Sequence, residues 1–295
     1  MTDTPMPLTR APVAVREQSL FAAAVRAFAR NRAALIGLFL IVALTLVALF
    51  ADLISPASRG GMGDRPMLPP GPDHFMGTDD LARDVLHRFV HGSRISLAIG
   101  ALAATTSMVI GIAVGLVSGY RGGVMDDALM RFTEAVQVAP RFFLALVVVV
   151  LFGASLQNII LIIGLLSWPA IARLIRAETL TIREQEYVQA ARIVGVRDRA
   201  IMFRHILPNA LPPTVVSGSL LVSQAILIES ALSFLGLGDP SRPSWGLMLN
   251  QANTFLRVAW WLAFFPGIGI LFASLGFNLV GDGLNEALNP RLRRR

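Results

Sequence analysis

Long apolar stretches alternate with shorter polar segments along this chain. Four of them are long enough for a helix across a bilayer core of about 30 Å, which takes about 20 apolar residues. Residues 33–51, 95–119 and 259–281 carry no charge, and residues 205–238 carry one acid, Glu229, in 34 residues. A fifth stretch, 142–172, is uncharged for 31 residues, which is long for one helix and short for two. The pattern predicts several membrane-spanning helices and gives no sign of a β-sheet.

The arginines fix the number of spans. Both ends of the chain are rich in Arg, and the positive-inside rule places both in the cytoplasm, which requires an even number of spans. Six spans result if Gly153–Asn158 is an outside turn, with the third span starting near Glu134 and including Arg141, and the fourth running to about Arg176. In that arrangement 17 of the 26 Arg lie inside and 7 outside. We therefore predict an all-α integral membrane protein with six transmembrane helices.

The polar segments divide the rest of the chain. Residues 1–32 are predicted to be a cytoplasmic segment, and residues 33–51 a retained anchor, since a signal-peptide core is shorter and nearer the N-terminus. Residues 52–94 form an extracytoplasmic segment, 95–283 the main transmembrane domain, and 284–295 a cytoplasmic tail. The first segment is predicted to hold a helix on the membrane surface, or else a plain solvated leader; the apolar residues at helical spacing are Leu20, Phe21, Ala24, Val25 and Phe28.

Composition excludes several kinds of chemistry. Cys is absent, and every one of the 26 basic residues other than His is Arg, so thiolate sites, Schiff-base chemistry and a Lys-containing phosphate loop are excluded. The net charge of +7 does not require nucleic acid, because the Arg lie beside the apolar stretches. We predict no bound metal or cofactor. His87 and His91 have the i,i+4 spacing of a metal pair but no third ligand at a fixed spacing; convergence with His74 would favour a nickel-handling role.

The segment 173–208 carries the clearest local signals. Thr181–Glu184 has the spacing of a capping box, which predicts a helix that continues over 185–194 and ends at Gly195. Asp198 is predicted to cap a second short helix, 199–206, that stops before Pro208. The small pair Ala190–Ala191 would let this loop seat closely against another protein, although an ordinary amphipathic loop helix fits the same pattern.

This loop resembles that of permease subunits of binding-protein-dependent ABC importers. Their motif is Glu-Ala-Ala, three residues, Gly, nine residues, Ile-x-Leu-Pro, and the chain reads Gln189-Ala190-Ala191, then Gly195, then His205-Ile206-Leu207-Pro208. Gln and His replace the usual Glu and first Ile. The peptide and nickel subgroup is closer still, since its Glu-Tyr-Val-x-Ala-Ala-Arg matches 186–192 throughout.

Further motifs extend the resemblance over nearly the whole chain, to the second (C-type) permease of dipeptide and oligopeptide systems. One departure is Ala82, where the family usually has Gly, so the turn there is expected to differ. The matching segments are Arg30–Arg32, Gly77–Asp79 with Arg83–Asp84, Ser233–Gly238, Pro243–Gly246, Asn278–Leu284 and Asn289–Arg291.

The resemblance implies the fold of a type I ABC importer transmembrane domain in a bacterial inner membrane. It also implies a homologous B-type permease, separate ATPase subunits that carry ATP and Mg, and an extracytoplasmic solute-binding protein, so the chain itself is no enzyme. Peptides are the implied substrates, with nickel or another small solute as the alternative, and an ATP-independent transporter or channel as the alternative of another class. The residues implied to dock the ATPase are Glu186, Tyr187, Ala190, Ala191, Arg192, Gly195, His205 and Pro208.

Two charged residues within the predicted spans are candidates for the translocation path. Glu229 lies well inside the fifth span, and ionisable residues there usually face the interior of the bundle or a water-filled cavity. A buried Glu bonded to a neighbouring helix is the alternative. Arg141 directly follows Pro140, and its long side chain could instead reach the headgroups.

Overall fold

The protein is described by a computed structural model that covers residues 20–56, 58, 60–63 and 65–288. This part of the chain is helical almost throughout and contains no β-strand beyond two isolated bridges. The predicted segments 1–19 and 289–295, with their arginines, lie outside the described residues. The all-α prediction is confirmed for the described part.

The helices follow one another with short connections. A π-turn, Ile201–Ile206, joins α9 to α10, and a second one, Ser233–Leu237, follows α10, so 198–237 runs as one helical stretch of 40 residues. The helices are α1 Leu20–Arg30, α2 Arg32–Leu49, α3 Ala51–Ile54, α4 Val85–Arg121, α5 Gly123–Val138, α6 Arg141–Phe152, α7 Leu156–Arg183, α8 Glu186–Ile193, α9 Asp198–Ala200, α10 Leu207–Leu232, α11 Trp245–Ala252 and α12 Trp261–Leu288.

Five helical stretches of the described chain are long and apolar enough to cross a membrane, and α5 with α6 makes a sixth when counted as one span. The two helices of this pair meet at 81°. The bend lies at Ala139–Pro140, because Pro140 has no N–H to continue the α5 ladder. The span begins at Gly123 and not near Glu134, since the polar residues of α5 hide its helical character from a hydropathy count.

Two other spans are longer than predicted. α4 begins at Val85, within the segment predicted as extracytoplasmic, because Asp84 accepts a hydrogen bond from the N–H of His87 and caps the helix there. α7 runs on to Arg183, past the predicted end near Arg176. The turn between α6 and α7 falls where it was expected, at Gly153–Ser155, with Gly153 at φ +91°.

Small residues allow the central helices to touch. Gly111, Gly115 and Gly119 lie four residues apart on one face of α4, against α7. A Cβ atom at Gly115 would lie 2.3 Å from the carbonyl oxygen of Ala172, so no side chain fits there. Close backbone contact of this kind supplies the van der Waals attraction that holds helices together in lipid.

α12 connects both ends of the chain to the bundle. Gly37 of α2 packs against α12 at Gly276, and Ser223 of α10 shares a 2.6 Å hydrogen bond with Ser274. At one end of the bundle, Asn31 donates to Glu286 at 2.6 Å. The start of α2 and the end of α12 therefore lie on the same side of the bundle.

The segment before α4 is held by one buried carboxylate. Asp79 accepts guanidinium hydrogen bonds from Arg83 and Arg88, both at 2.8 Å, and Arg88 also donates to Gln251 of α11 at 2.5 Å. Ala82 in this turn has φ +57°, a left-handed conformation that favours Gly. The departure at this position thus places a strained Ala in the turn.

Candidate functional site

The loop helix α8 lies beyond the end of α7 and ends as predicted. Gly195 has φ +82°, its N–H donates to the carbonyl of Arg192, and the N–H of Val196 donates to the carbonyl of Ala191. These two bonds form a Schellman motif, in which Gly takes the left-handed position after the last turn. A Cβ at Gly195 would meet nothing within 4 Å, so its backbone conformation, and not space, requires Gly.

The predicted start of this helix is wrong. Thr181 lies inside α7 and donates to the carbonyl of Ala177, so it caps nothing. Glu184 closes α7 and pairs with Arg183 at 3.0 Å. α8 begins at Glu186, after Gln185, without a side-chain cap.

The prediction of a second short helix is also wrong, because the helix that follows the loop does not stop before Pro208. The N–H of Leu207 donates to the carbonyl of Met202, five residues back, within the π-turn. This wider turn accommodates the Pro208 ring, which in a regular α-helix would clash with the carbonyl four residues back. The helix therefore continues from the loop directly into the fifth span.

One buried residue fastens α8 to the bundle. Val188 is fully buried in a cluster that also contains Ile182 from α7 and both Ile201 and Ile206 from the π-turn. Because these residues come from the two helical stretches on either side of the loop, Val188 packs α8 against both of them. Burial of a side chain of this size contributes about 1.5–3 kcal/mol.

The opposite face of α8 is exposed and partly apolar. Glu186, Tyr187, Ala190 and Arg192 are exposed, and Ala191 is half-buried. The sequence reasoning missed Ile193 and Val194, which are 85% and 82% exposed at the tip of the loop. Two adjacent large apolar residues in a polar loop can be seen in the sequence, but their exposure, which makes them candidates for a contact, is seen only in the structure.

His205 and Pro208 lie beside α8. The His205 ring is 6.5 Å from the ring of Tyr187, and Asn209 donates both to the His205 carbonyl at 2.7 Å and to the Tyr187 hydroxyl at 3.3 Å. Pro208 is exposed in the first turn of α10. Tyr187 of α8 and His205 of the following helical stretch thus lie close together, and the docking role of these residues stays a prediction.

Polar contacts connect the loop to α4, and α5 to α7. The hydroxyl of Tyr120, near the end of α4, donates to Asp198 at 2.6 Å, and the Arg192 guanidinium lies 5.5 Å from the centre of its ring. Arg176 of α7 donates twice to Asp126 of α5, both bonds being 2.6 Å. The first contact ties the end of α4 to the loop, and the second holds α5 against α7.

The candidate path residue Glu229 is 1% exposed. Its Oε1 accepts hydrogen bonds from the hydroxyls of Ser233 at 2.7 Å and Ser244 at 2.6 Å. Ser244 in turn accepts from the N–H of Leu247 as the cap of α11. These contacts agree with the packing alternative, and the role in the path stays a prediction.

Arg141, the other candidate, is the first residue of α6, directly after the bend. It is half-buried, and within the described residues its guanidinium has no hydrogen-bond or ion-pair partner. A role of Arg141 in the translocation path therefore also stays a prediction.

The three outer histidines form no common group. His87 and His91 have ring centres 4.2 Å apart, whereas His74 bonds Asp84 at 2.9 Å. Among the residues that the structure describes, no three His, Cys, Asp or Glu are placed to hold a metal ion together.

Comparison with known proteins gives two family matches. Residues 111–294 match the family described as binding-protein-dependent transport system inner membrane component. Residues 19–70 match the N-terminal TM domain of oligopeptide transport permease C.

Curated relatives match along most of their length. The dipeptide transport system permease protein DppC of Alkalihalophilus pseudofirmus is 38% identical, over 90% of this chain and 88% of the relative. The glutathione transport system permease protein GsiD of Pectobacterium atrosepticum is 37% identical over 91% and 90%. The oligopeptide transport system permease protein OppC of Bacillus subtilis is 37% identical over 96% and 93%.

The helical bundle and its loop define a membrane-embedded permease of the ABC importer class. The chain belongs to the family of binding-protein-dependent transport system inner membrane components. The resemblance seen in the loop and in the other motifs is thereby confirmed.

Proposed function

We propose that this chain forms half of the translocation pathway of a peptide importer in a bacterial inner membrane, with both termini in the cytoplasm. The loop helix carries the proposal: α8 is held to two spans by Val188 and offers the exposed pair Ile193 and Val194 to a partner. The relatives named for dipeptides, oligopeptides and glutathione support peptides as the substrate class.

The energy for transport comes from partner subunits. ATP and Mg bind to separate ATPase subunits, and this chain binds no cofactor of its own and catalyses no reaction. A homologous B-type permease completes the pathway, and an extracytoplasmic binding protein delivers the solute. Alternating access then requires two arrangements of the packed helices, one favoured by ATP and the other by the loaded binding protein.

The docking surface consists of α8 and the adjacent start of α10. Ile193, Val194 and Tyr187 provide apolar area, while the small Ala190 and Ala191 let the partner approach the helix backbone. Glu186, Arg192 and Arg197 form ion pairs at the rim, each worth about 0–1 kcal/mol because they are exposed. Gly195 holds the turn, and His205 and Pro208 support Tyr187 from the side.

Glu229 and Arg141 take different parts in the pathway. Glu229 holds the connection between α10 and α11, since it accepts hydrogen bonds from Ser233, just after α10, and from Ser244, just before α11. Arg141 is available for an anionic group in the assembled pathway, because it lies unpaired at the bend of the third span.

The test is purification of the complete transporter, followed by ATPase measurements with its binding protein and a panel of peptides and metal ions. We expect peptides, and not nickel, to stimulate ATP hydrolysis. Stimulation by nickel alone would show that the substrate is nickel and not a peptide, and would leave the proposed permease role unchanged. Uptake by this chain alone in liposomes without ATP would establish a secondary transporter or channel and contradict the proposal.

A further inference from the structure

A polar cavity of about 510 Å³ opens between the ends of α4 and α7 and the loop helix. Its volume lies within the range of about 300–1,000 Å³ that is typical of small-molecule sites. Six residues line it, and all of them except Tyr120 carry a formal charge. The six are Tyr120, Arg121, Arg183, Glu184, Arg192 and Asp198. Arg192 also belongs to the loop motif, whereas Tyr120, Arg121 and Asp198 lie outside the motifs quoted above.

The charges of the lining do not cancel. Three guanidinium groups face two carboxylates, which leaves a net charge of +1. The Arg183 guanidinium pairs with Glu184 at 3.0 Å and donates to the Gly119 carbonyl at 2.8 Å. Arg121 is exposed and has no hydrogen-bond or ion-pair partner within the described residues, so it is free to bind an anion.

The depth of the cavity along α4 points to the source of that anion. Arg94 donates to the carbonyls of Ala48 and Leu49, where α2, one of the candidate membrane spans, ends. Arg121 follows 27 residues later on the same helix, or about 40 Å. A bilayer measures about 40–45 Å with its headgroups, so the cavity lies at the opposite headgroup layer.

We propose that this cavity binds the phosphodiester headgroup of an anionic phospholipid. A phosphodiester carries one negative charge, which matches the lining, and Arg binds its oxygens with two parallel hydrogen bonds. The bound lipid would touch Arg121 at the end of α4 and Arg192 on α8 together. Binding of this kind goes beyond transport itself and does not depend on which solute the importer carries.

The experiment uses the complete transporter in nanodiscs that contain equal amounts of phosphatidylglycerol and phosphatidylcholine. After extraction with mild detergent, native mass spectrometry counts the lipids that each complex retains. We expect preferential retention of phosphatidylglycerol, reduced about five-fold in Arg121→Gln, since one Arg near an anionic surface contributes about that factor. The matched control, Arg199→Gln, removes an exposed Arg of the same loop that does not line the cavity, and should retain phosphatidylglycerol like the wild type.

Three outcomes would overturn the proposal. Equal retention of both lipids by the wild type would show no anion preference, and equal loss in both variants would show only a general charge effect. Loss of the ATPase from the Arg121→Gln complex without any lipid preference would assign the cavity to an acidic side chain of the ATPase. ATP-driven uptake, measured on the same preparations, separates these failures from a failure of the proposed transport function.

Discussion

The hydroxyl of Tyr120 donates a 2.6 Å hydrogen bond to the carboxylate of Asp198. This bond joins the end of a 37-residue span to the first residue of the helix that follows the loop. Gly119, the neighbour of Tyr120, packs against Thr179 of α7. These contacts therefore link the start of α9 to the end of α4, and the end of α4 to α7.

Tyr120→Phe tests this connection. The substitution removes a hydrogen bond to a carboxylate, worth about 1.5–3 kcal/mol, and keeps the aromatic ring beneath Arg192. We expect normal assembly with the ATPase and a lower ratio of solute transported to ATP hydrolysed, measured in proteoliposomes. An unchanged ratio would show that the bond takes no part in coupling.

The exposed pair at the loop tip is predicted to hold the ATPase. Replacing Ile193 and Val194 together by Ala removes apolar area that is buried only in the complex, so the permease should fold normally. If most of that area is buried on docking, the loss is about 2–3 kcal/mol, or 30- to 150-fold in affinity. Titration of detergent-purified permease with the ATPase subunit measures this change in affinity. Val258→Ala, an exposed apolar residue outside the loop, is the control and should leave the affinity unchanged.

Substitutions of Gly195 should separate conformation from bulk. Asn tolerates positive φ, whereas a β-branched residue does not. Gly195→Asn should therefore keep most of the binding-protein-stimulated ATPase activity, and Gly195→Val should lose it while inserting into the membrane normally. Equal loss in both variants would mean that the turn conformation is not what matters, because a side chain has open space at this position.

The contact between α4 and α7 is predicted to tolerate no added atom at Gly115. Gly115→Ala places a Cβ 2.3 Å from a backbone oxygen of α7, which forces the two helices apart. We expect a clear loss of thermal stability in detergent, by several degrees. Gly267→Ala is the matched control in α12, because a Cβ there meets nothing within 4 Å. A similar loss in both variants would rule out the helix contact as the cause.

Ala82→Gly should stabilise the protein. The residue is held at φ +57°, which costs a non-glycine residue about 1 kcal/mol, and Gly removes that strain. The gain is reduced by the greater freedom of Gly in the unfolded chain, so an increase of about 0.5 kcal/mol is expected. A melting temperature below that of the wild type would contradict the strain argument.

Hydropathy predicted most of the spans because they are long apolar stretches, whereas their alternation across the membrane, inferred from the arginines, stays a prediction. The size of the bend in the third span could not be predicted, since Pro140 permits either a kink or a helix end, and tertiary contacts decide between them. The same ambiguity explains the errors around the loop. Thr181 and Glu184 have capping spacing, yet the packing of Ile182 and Thr179 keeps α7 helical through that point.

The loop itself was predictable in part. Gly195 is a strong local signal, because few residues other than Gly adopt its conformation, and the structure has it at the predicted helix end. The role of Val188 as an anchor depends on residues from two distant elements, which no local pattern reveals. The partners of Glu229 were not predictable either. Ser233 and Ser244 lie 4 and 15 residues away along the chain, and only the fold brings Ser244 to it.

The most direct test of the account is uptake of a labelled dipeptide into proteoliposomes that contain the complete transporter. The account predicts that uptake requires ATP on the side of the loop helix and the binding protein on the other side. It also predicts that Gly195→Val abolishes this uptake without loss of membrane insertion. Normal uptake and normal stimulated ATP hydrolysis in Gly195→Val would contradict the claim that the loop helix transmits the energy of the ATPase.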